Sequence, residues 1–123
     1  RSVLELNVLR DRNPLFVRLS DGDVRNGYTI KVLNKEQATK TYALTVTGIT
    51  PTQMQIIGLE PNQDGSFDLD VAPDRVGSFR VFIAAAPDSL DGDATPFEFK
   101  VTDRKDAKSK TYDTVFAGPK TAH

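Results

Sequence analysis

Histidine and cysteine, two side chains that often act in catalysis, are nearly absent from this sequence. A hydrolase triad requires a nucleophile, a base and an orienting group in contact, and the single histidine is His123, in a polar stretch at the end of the sequence. There are no cysteines, which excludes disulfides, thiolate metal sites and a cysteine nucleophile. We therefore predict no catalytic residue and no enzyme activity in this chain.

Two acidic turns have the spacing that comes nearest to a cation site. From Glu60 to Asp68, oxygen-bearing side chains alternate around Gly65, as in the first half of a calcium loop. Val71 stands where such a loop needs its bidentate glutamate. Asp-rich turns between strands are common without any ion, so we predict no metal ligand here. Whether this turn, or the second acidic turn at 88–93, binds an ion is left open.

Copper and other cofactors have few possible ligands in this chain. Copper sites favour histidine, cysteine or methionine ligands, and the sequence offers only His123 and Met54. We therefore predict that this chain is unsuited to bind copper and has no cofactor-binding residue.

Length and composition describe an ordinary globular domain. The 123 residues suit one domain, and 38% hydrophobic with 27% charged residues is a mixture that folds rather than one that stays disordered. The 16 basic residues are balanced by 17 acidic ones. Since nucleic-acid-binding domains usually carry a clear basic excess, we predict no nucleic-acid partner.

Charge is nevertheless distributed unevenly along the chain. Between residues 60 and 93 there are eight acidic residues and two basic ones, whereas residues 100–120 hold six basic and three acidic residues. A surface with two signs could orient a protein partner and speed encounter. Two solvated loop regions would give the same pattern, so both interpretations stay open.

Apolar residues alternate with polar ones at the strand period of two along most of the chain. Turn residues such as Asp21-Gly22, Pro61 to Gly65 and Pro87 to Gly92 separate the alternating segments, and no stretch shows a helical stripe of useful length. We predict strands near residues 3–10, 15–19, 24–33, 41–47, 53–57, 66–71, 77–86, 95–102 and 111–117.

Many short strands separated by turns predict an all-β fold, and we favour an immunoglobulin-like β-sandwich of seven to nine antiparallel strands. The domain is predicted to span residues 1–117, followed by a flexible tail at 118–123. The longest apolar run has six residues, 81–86, too few for a membrane helix of about 20. The sequence starts at Arg1 without a methionine, and we expect it to be a piece of a longer protein.

Two polar motifs near the start of the chain have both a structural and a functional interpretation. They are Asp11-Arg12-Asn13-Pro14 and Arg25-Asn26-Gly27-Tyr28. Structurally, Asp and Asn nucleate turns, and an Asn amide beside a glycine can bond backbone left unpaired at a bulge. Functionally, Asp11, Arg12, Arg25 and Asn26 form our candidate interaction surface for another subunit or domain.

The same motifs carry a resemblance to a known family. They belong to three segments of specific order and spacing, which read Asp11-Arg12-x-Pro14-Leu15-Phe16-Val17, then Leu19-Ser20-Asp21-Gly22, then Arg25-Asn26-x-Tyr28-Thr29-x-Lys31-x-x-Asn34-Lys35. This part of the sequence resembles the opening of the C-terminal domain of the FixG/CcoG family, accessory proteins of cbb3-type cytochrome oxidase assembly.

The resemblance implies a parent protein in the inner membrane, with transmembrane helices and a polyferredoxin-like part that carries cysteine-ligated [4Fe–4S] clusters. It places this immunoglobulin-like domain on the periplasmic side. It also implies a parent that donates electrons to reduce copper for delivery to the oxidase. The cluster cysteines are absent from this chain, so the implied role is contact with oxidase subunits or copper chaperones.

Two other classes of function remain as alternatives. One is an extracytoplasmic ligand- or carbohydrate-binding β-sandwich, although such modules usually present exposed aromatic platforms. This chain has no tryptophan, and most of its Phe and Tyr residues fall at positions predicted to point inward. The other is a calcium module or a metal-dependent enzyme, which would use the acidic turns described above.

Overall fold

The computed structural model describes residues 4–119. Within this range there are nine β-strands and one short 3-10 helix. The strands are β1 (Leu4–Arg10), β2 (Val17–Arg18), β3 (Val24–Asn34), β4 (Lys40–Thr47), β5 (Gln53–Ile56), β6 (Phe67–Val71), β7 (Arg75–Ala85), β8 (Ala94–Asp103) and β9 (Ser109–Ala117), and the 3-10 helix is Pro87–Ser89.

The strands form two antiparallel sheets. Sheet I has the order β1-β3-β7-β5, and β2 also pairs with β3. Sheet II has the order β6-β4-β8-β9. β3 is the central strand of sheet I. It pairs with β7 along its full length, from Val24 opposite Ala85 to Asn34 opposite Arg75. β1 and β2 share its other edge, β1 beside Tyr28–Asn34 and β2 beside Val24–Arg25.

The core lies between the sheets and follows from the alternation in sequence. Every second residue of β3 is buried, so that Tyr28, Ile30 and Val32 are fully enclosed. Tyr28 packs edge-on against Phe97 and Phe99 of β8, with ring centroids 5.7 and 5.2 Å away. Such edge-to-face pairs suit the aromatic quadrupole and add to the burial of a large apolar area.

Asn34, at the end of β3, ties the two sheets together at one end of the sandwich. Its Nδ2 donates to the carbonyl oxygens of Ala38 and of Val71, at 2.9 and 3.1 Å, and its Oδ1 accepts from the Glu36 backbone N–H. Because Val71 belongs to β6 of sheet II, this buried amide supplies backbone bonds at a corner where the strands cannot.

The predicted fold class is confirmed, and each predicted strand overlaps an observed one. β7 starts two residues earlier than predicted because its pairing with β3 continues to Arg75. β2 is shorter than predicted because only Val17 and Arg18 pair with β3. Gly118, assigned to the tail by sequence, is buried and donates its N–H to Asp93 O at 3.0 Å. Residues 120–123, with His123, lie outside the described range.

No helix within residues 4–119 is long and apolar enough to cross a membrane.

Candidate docking surface

The outer face of sheet I brings together residues from four strands. Since alternate residues of β3 point into the core, Arg25, Gly27 and Thr29 point away from it. The register places Gly27 beside Phe82 and Thr29 beside Arg80 on β7. On the flanking strands, Leu9 lies beside Thr29, and Gln55 lies beside Phe82. This outward surface is called the sheet I face below.

Asp11 and Arg80 form a bidentate ion pair at the edge of the sheet I face. Arg80 Nη1 and Nη2 donate to the two carboxylate oxygens of Asp11 at 2.9 and 2.8 Å, and Nη1 also donates to Thr29 Oγ1 at 3.0 Å. Hydrogen bonding to this guanidinium lowers the pKa of Asp11 below its ordinary value. The pair joins the segment after β1 to β7, and it neutralises the charge of Arg80.

Phe82 lies at the centre of the sheet I face, between two arginines. The guanidinium carbons of Arg25 and Arg80 are each 5.0 Å from the centroid of its ring, within the range of cation–π attraction. Gly27 makes room for this arrangement. A Cβ there would overlap the Asp11 carboxylate and lie 3.2 Å from the Phe82 ring.

Exposed apolar side chains surround this arginine–aromatic cluster. Leu9 is 56% exposed and Ile57 is 58% exposed. They lie on opposite sides of Arg80, because Leu9 pairs with Thr29 next to Arg80, while Ile57 N donates to Arg80 O at 3.1 Å. Val76, further along β7, is 56% exposed. The sheet I face therefore combines cationic, aromatic and aliphatic groups, the composition found in protein interfaces.

The structure brings together only part of the interaction surface predicted from sequence. Asp11 and Arg25 lie at the two ends of the cluster around Gly27, and Arg12 is exposed in the segment after β1. Asn26 was also predicted to belong to this surface. It lies between the sheets instead, where its side chain is 3% exposed and donates to Ala117 O. Alternation along β3 puts Asn26 on the opposite face from Arg25.

Sequence reasoning missed Arg80 and Phe82. Both lie on β7, more than fifty residues from Arg25 and Gly27 along the chain, and only the pairing of β3 with β7 brings them together. The one available signal was alternation. Phe82 falls on the polar side of the β7 pattern, out of phase with the buried residues Val81 and Ile83.

The acidic turn at 60–68 is held by its own side chains and by Arg104. Asp68 Oδ1 accepts from Arg104 Nε and Nη2 at 3.0 and 2.8 Å, and from Asn62 Nδ2 at 3.2 Å. The Ser66 hydroxyl donates to Asp64 Oδ1 at 2.6 Å, which lowers the pKa of Asp64. These contacts favour the structural interpretation of this turn.

A second set of carboxylates gathers around a lysine at the start of β4. Glu36, Asp103 and Asp106 bring oxygen atoms within 4.8 Å of one another. Lys40 Nζ already lies among them, 2.9 Å from Asp103 Oδ2 and 3.4 Å from Glu36 Oε2. The Lys40 ammonium thus already pairs with two of these three carboxylates.

The pKa values at this cluster follow from that pairing. Burial opposes ionisation of Asp103, but bonds from Lys40 and from the Lys105 N–H outweigh it and hold the pKa of Asp103 below its ordinary value. The hydrogen bond to Asp103 raises the pKa of Lys40. Burial, together with the nearby carboxylates, raises the pKa of Tyr42 to about 12. Asp103 and Lys40 are therefore both charged at neutral pH and form an ion pair.

A groove of about 390 Å³ lies where the edges of the two sheets meet. Its walls include Thr45, Thr52, Met54, Asp64 and Phe67. Phe67 is only 1% exposed, and among the described residues the large exposed apolar side chains are aliphatic. The groove lacks the stacked aromatic surface on which carbohydrate-binding modules rely.

Comparisons with known proteins find a matching domain family and several related proteins. A family described as "IG-like fold at C-terminal of FixG, putative oxidoreductase" matches residues 1–119. The nitrogen fixation protein FixG of Rhizobium meliloti (strain 1021) is 43% identical over 83 residues, which cover 68% of this chain and 16% of that protein. Protein RdxA of Cereibacter sphaeroides is 34% identical over 107 residues, covering 84% of this chain and 21% of RdxA.

Among solved structures, a FixG-related protein from Vibrio parahaemolyticus superimposes with a TM-score of 0.76 at 27% identity. The match covers 95% of this chain and 97% of that one. In contrast, this chain spans 16% and 21% of the lengths of FixG and RdxA. The sandwich therefore corresponds to one part of much longer relatives.

Proposed function

The chain belongs to the family of immunoglobulin-like domains found at the C-terminus of FixG, and from this premise we propose that it is a non-catalytic interaction domain. It works on the periplasmic side of an inner-membrane protein that carries [4Fe–4S] clusters and assists assembly of cbb3-type cytochrome oxidase. The parent protein supplies electrons that reduce copper for delivery. This domain contributes contacts with oxidase subunits or copper chaperones.

The observation that carries this proposal is the family match over residues 1–119, at a length that spans about a fifth of the curated relatives. A domain that forms a small part of a long protein can serve that protein by holding it against a partner. The redox chemistry then belongs to the rest of the parent protein, since this chain has no cysteines to hold a cluster.

The arrangement of polar groups supports an accessory role. A general base must reach a proton on its substrate, but the carboxylates with lowered pKa are already bonded within the chain: Asp11 to Arg80, Asp64 to Ser66 and Asp103 to Lys40. Within residues 4–119, every buried side-chain nitrogen and oxygen has a hydrogen-bond partner. The groups left for other molecules are surface groups, and the sheet I face is the surface richest in contact-forming types.

Deletion of the domain from the parent protein tests the proposal. Cells would carry the full-length parent or a version lacking residues 4–117, and the amount of assembled cbb3 oxidase would be measured from haem spectra and oxygen uptake. We expect assembled oxidase to fall while the iron–sulfur signal of the parent stays intact. Unchanged oxidase would contradict the proposal, and so would loss of the clusters, because the domain would then serve the redox part directly.

A further inference from the structure

We propose that the sheet I face docks an acidic protein surface, and that Arg25 is the residue that binds its carboxylate. The proposal deepens the interaction role above and rests on it. It assigns the interface to one face of the sandwich and gives the partner a chemistry.

The first support is the state of Arg25. Its guanidinium is stacked on Phe82 at 5.0 Å, and among residues 4–119 it has no carboxylate partner. Arg80, on the other side of the same ring, is already neutralised by Asp11. Stacking leaves the N–H donors at the edge of the guanidinium plane free to bind a carboxylate in the bidentate way. Because the ring restrains the side chain, less entropy is lost on binding.

The second support is the surrounding of the cluster. Leu9 and Ile57, both more than half exposed, lie on opposite sides of Arg80. Interfaces commonly combine a central arginine and aromatic residue with apolar neighbours that exclude water. Arg25 itself lies beside Val17 of β2 and Ala84 of β7, and a partner that covers these apolar groups would strengthen its attraction for a carboxylate, since the effective dielectric constant falls. The apolar flanks therefore point to a protein surface as the occupant rather than a free anion.

The third support is the difference in charge between the two faces of the sandwich. Beyond its ion pairs, the sheet I face keeps the cations Arg25 and Lys31, neither of which is in an ion pair among the described residues. Counted in the same way, the outward strand residues of sheet II keep three carboxylates, on Asp70, Glu98 and Asp113, against Lys100, since Asp68 is paired with Arg104. An acidic partner is attracted to the first face and repelled by the second, which fixes its side of approach.

Site-specific photocrosslinking in cells that make the oxidase tests this inference. The full-length parent would carry benzoylphenylalanine in place of Gln55, which lies beside Phe82, or in place of Thr45, which lies beside Lys100 on the opposite face. Crosslinked peptides would be identified by mass spectrometry. Each version would also be made with Arg25→Gln and, as a matched control, with Lys100→Gln.

We expect crosslinks from position 55 to a peptide rich in Asp and Glu, with a yield that Arg25→Gln reduces roughly tenfold, as for an interface anchor, and that Lys100→Gln leaves unchanged. Crosslinks to lipid or to a second copy of the domain would overturn the acidic partner. Crosslinks mainly from position 45, or from neither position, would overturn the assigned face. Either failure could occur while the domain deletion still lowers assembled oxidase, so the two proposals fail separately.

Discussion

The side chain of Asn26 makes the hydrogen bonds of a neighbouring strand at the end of β9, on the edge that does not pair with β8. Its Oδ1 accepts from Ala117 N and its Nδ2 donates to Ala117 O, both at 2.8 Å, which copies the paired bonds that a neighbouring strand would make. Tyr28 adds a bond from its hydroxyl to Val115 O at 3.0 Å. One side chain from sheet I thereby satisfies the backbone at the end of sheet II and closes that end of the sandwich.

Replacing Asn26 with alanine should therefore destabilise the fold strongly. The change leaves one buried N–H and one buried C=O without partners, at a cost of about 2–4 kcal/mol in the free energy of unfolding. Urea denaturation of the 123-residue chain would measure it. Asn7→Ala, at an exposed position of β1, is the matched control and should change stability by less than about 0.5 kcal/mol. Equal effects of the two substitutions would contradict the role given to Asn26.

The bonding of Asn26 to backbone was partly predictable from the sequence. An Asn next to Gly27 suggested a bond to backbone, and the bond exists. Its partner lies 91 residues away on the other sheet, rather than at a local bulge, because the position of β9 depends on the packing of the whole sandwich. The local motif indicates what an amide can do, whereas the fold decides with whom it does it.

β4 and β8 are joined by a buried ion pair where one strand begins and the other ends. Lys40 is the first residue of β4 and Asp103 is the last of β8, and their side chains are 10% and 5% exposed. Asp103 also accepts from the Lys105 N–H at 2.8 Å, so that it fixes the turn into β9. The charge pair thus sets where two central strands of sheet II terminate.

The pair should make stability depend on pH in the acidic range. Because the pKa of Asp103 is lowered on folding from its ordinary value of 3.8, its ionised form stabilises the fold above about pH 4, and this contribution is lost as the pH falls through the lower folded value. Asp103→Asn should cost about 1–3 kcal/mol at pH 7 and should weaken the loss of stability expected on acidification.

Urea midpoints between about pH 2 and pH 7 would measure both effects. Asp88→Asn, at an exposed position of the 3-10 helix, serves as the control and should leave stability at pH 7 nearly unchanged. If Asp103→Asn kept the wild-type stability at pH 7, the pair would not hold the ends of these strands.

The positions of the strands were the most predictable feature of this protein. Alternation between buried and exposed residues is a local property, so that the position of β3 could be read from Tyr28, Ile30 and Val32 alone. Pairing is not local. Nothing in the sequence showed that β3 lies beside β7, and consequently Arg80 and Phe82 could not be placed next to Arg25 before the structure was known.

At the scale of the whole molecule, the sandwich has two chemically different faces. The sheet I face combines aliphatic side chains with the arginine–aromatic cluster, while the outward residues of sheet II are mostly hydroxyl-bearing and acidic. The net charge of −1 conceals this difference. The sequence revealed uneven charge along the chain, but it could not assign the charges to faces, since that requires knowing which strands share a sheet.

We predict that the function of the parent protein depends on one face of this domain. The most direct test is charge reversal in the full-length parent, comparing Arg25→Glu on the sheet I face with Lys100→Glu on the opposite face, and measuring assembled cbb3 oxidase in cells. Both positions are at least partly exposed, and both changes alter the net charge equally. We expect Arg25→Glu to lower assembled oxidase about tenfold or more and Lys100→Glu to leave it at the wild-type level. Equal effects, or an effect of Lys100→Glu alone, would contradict the docking role of the sheet I face.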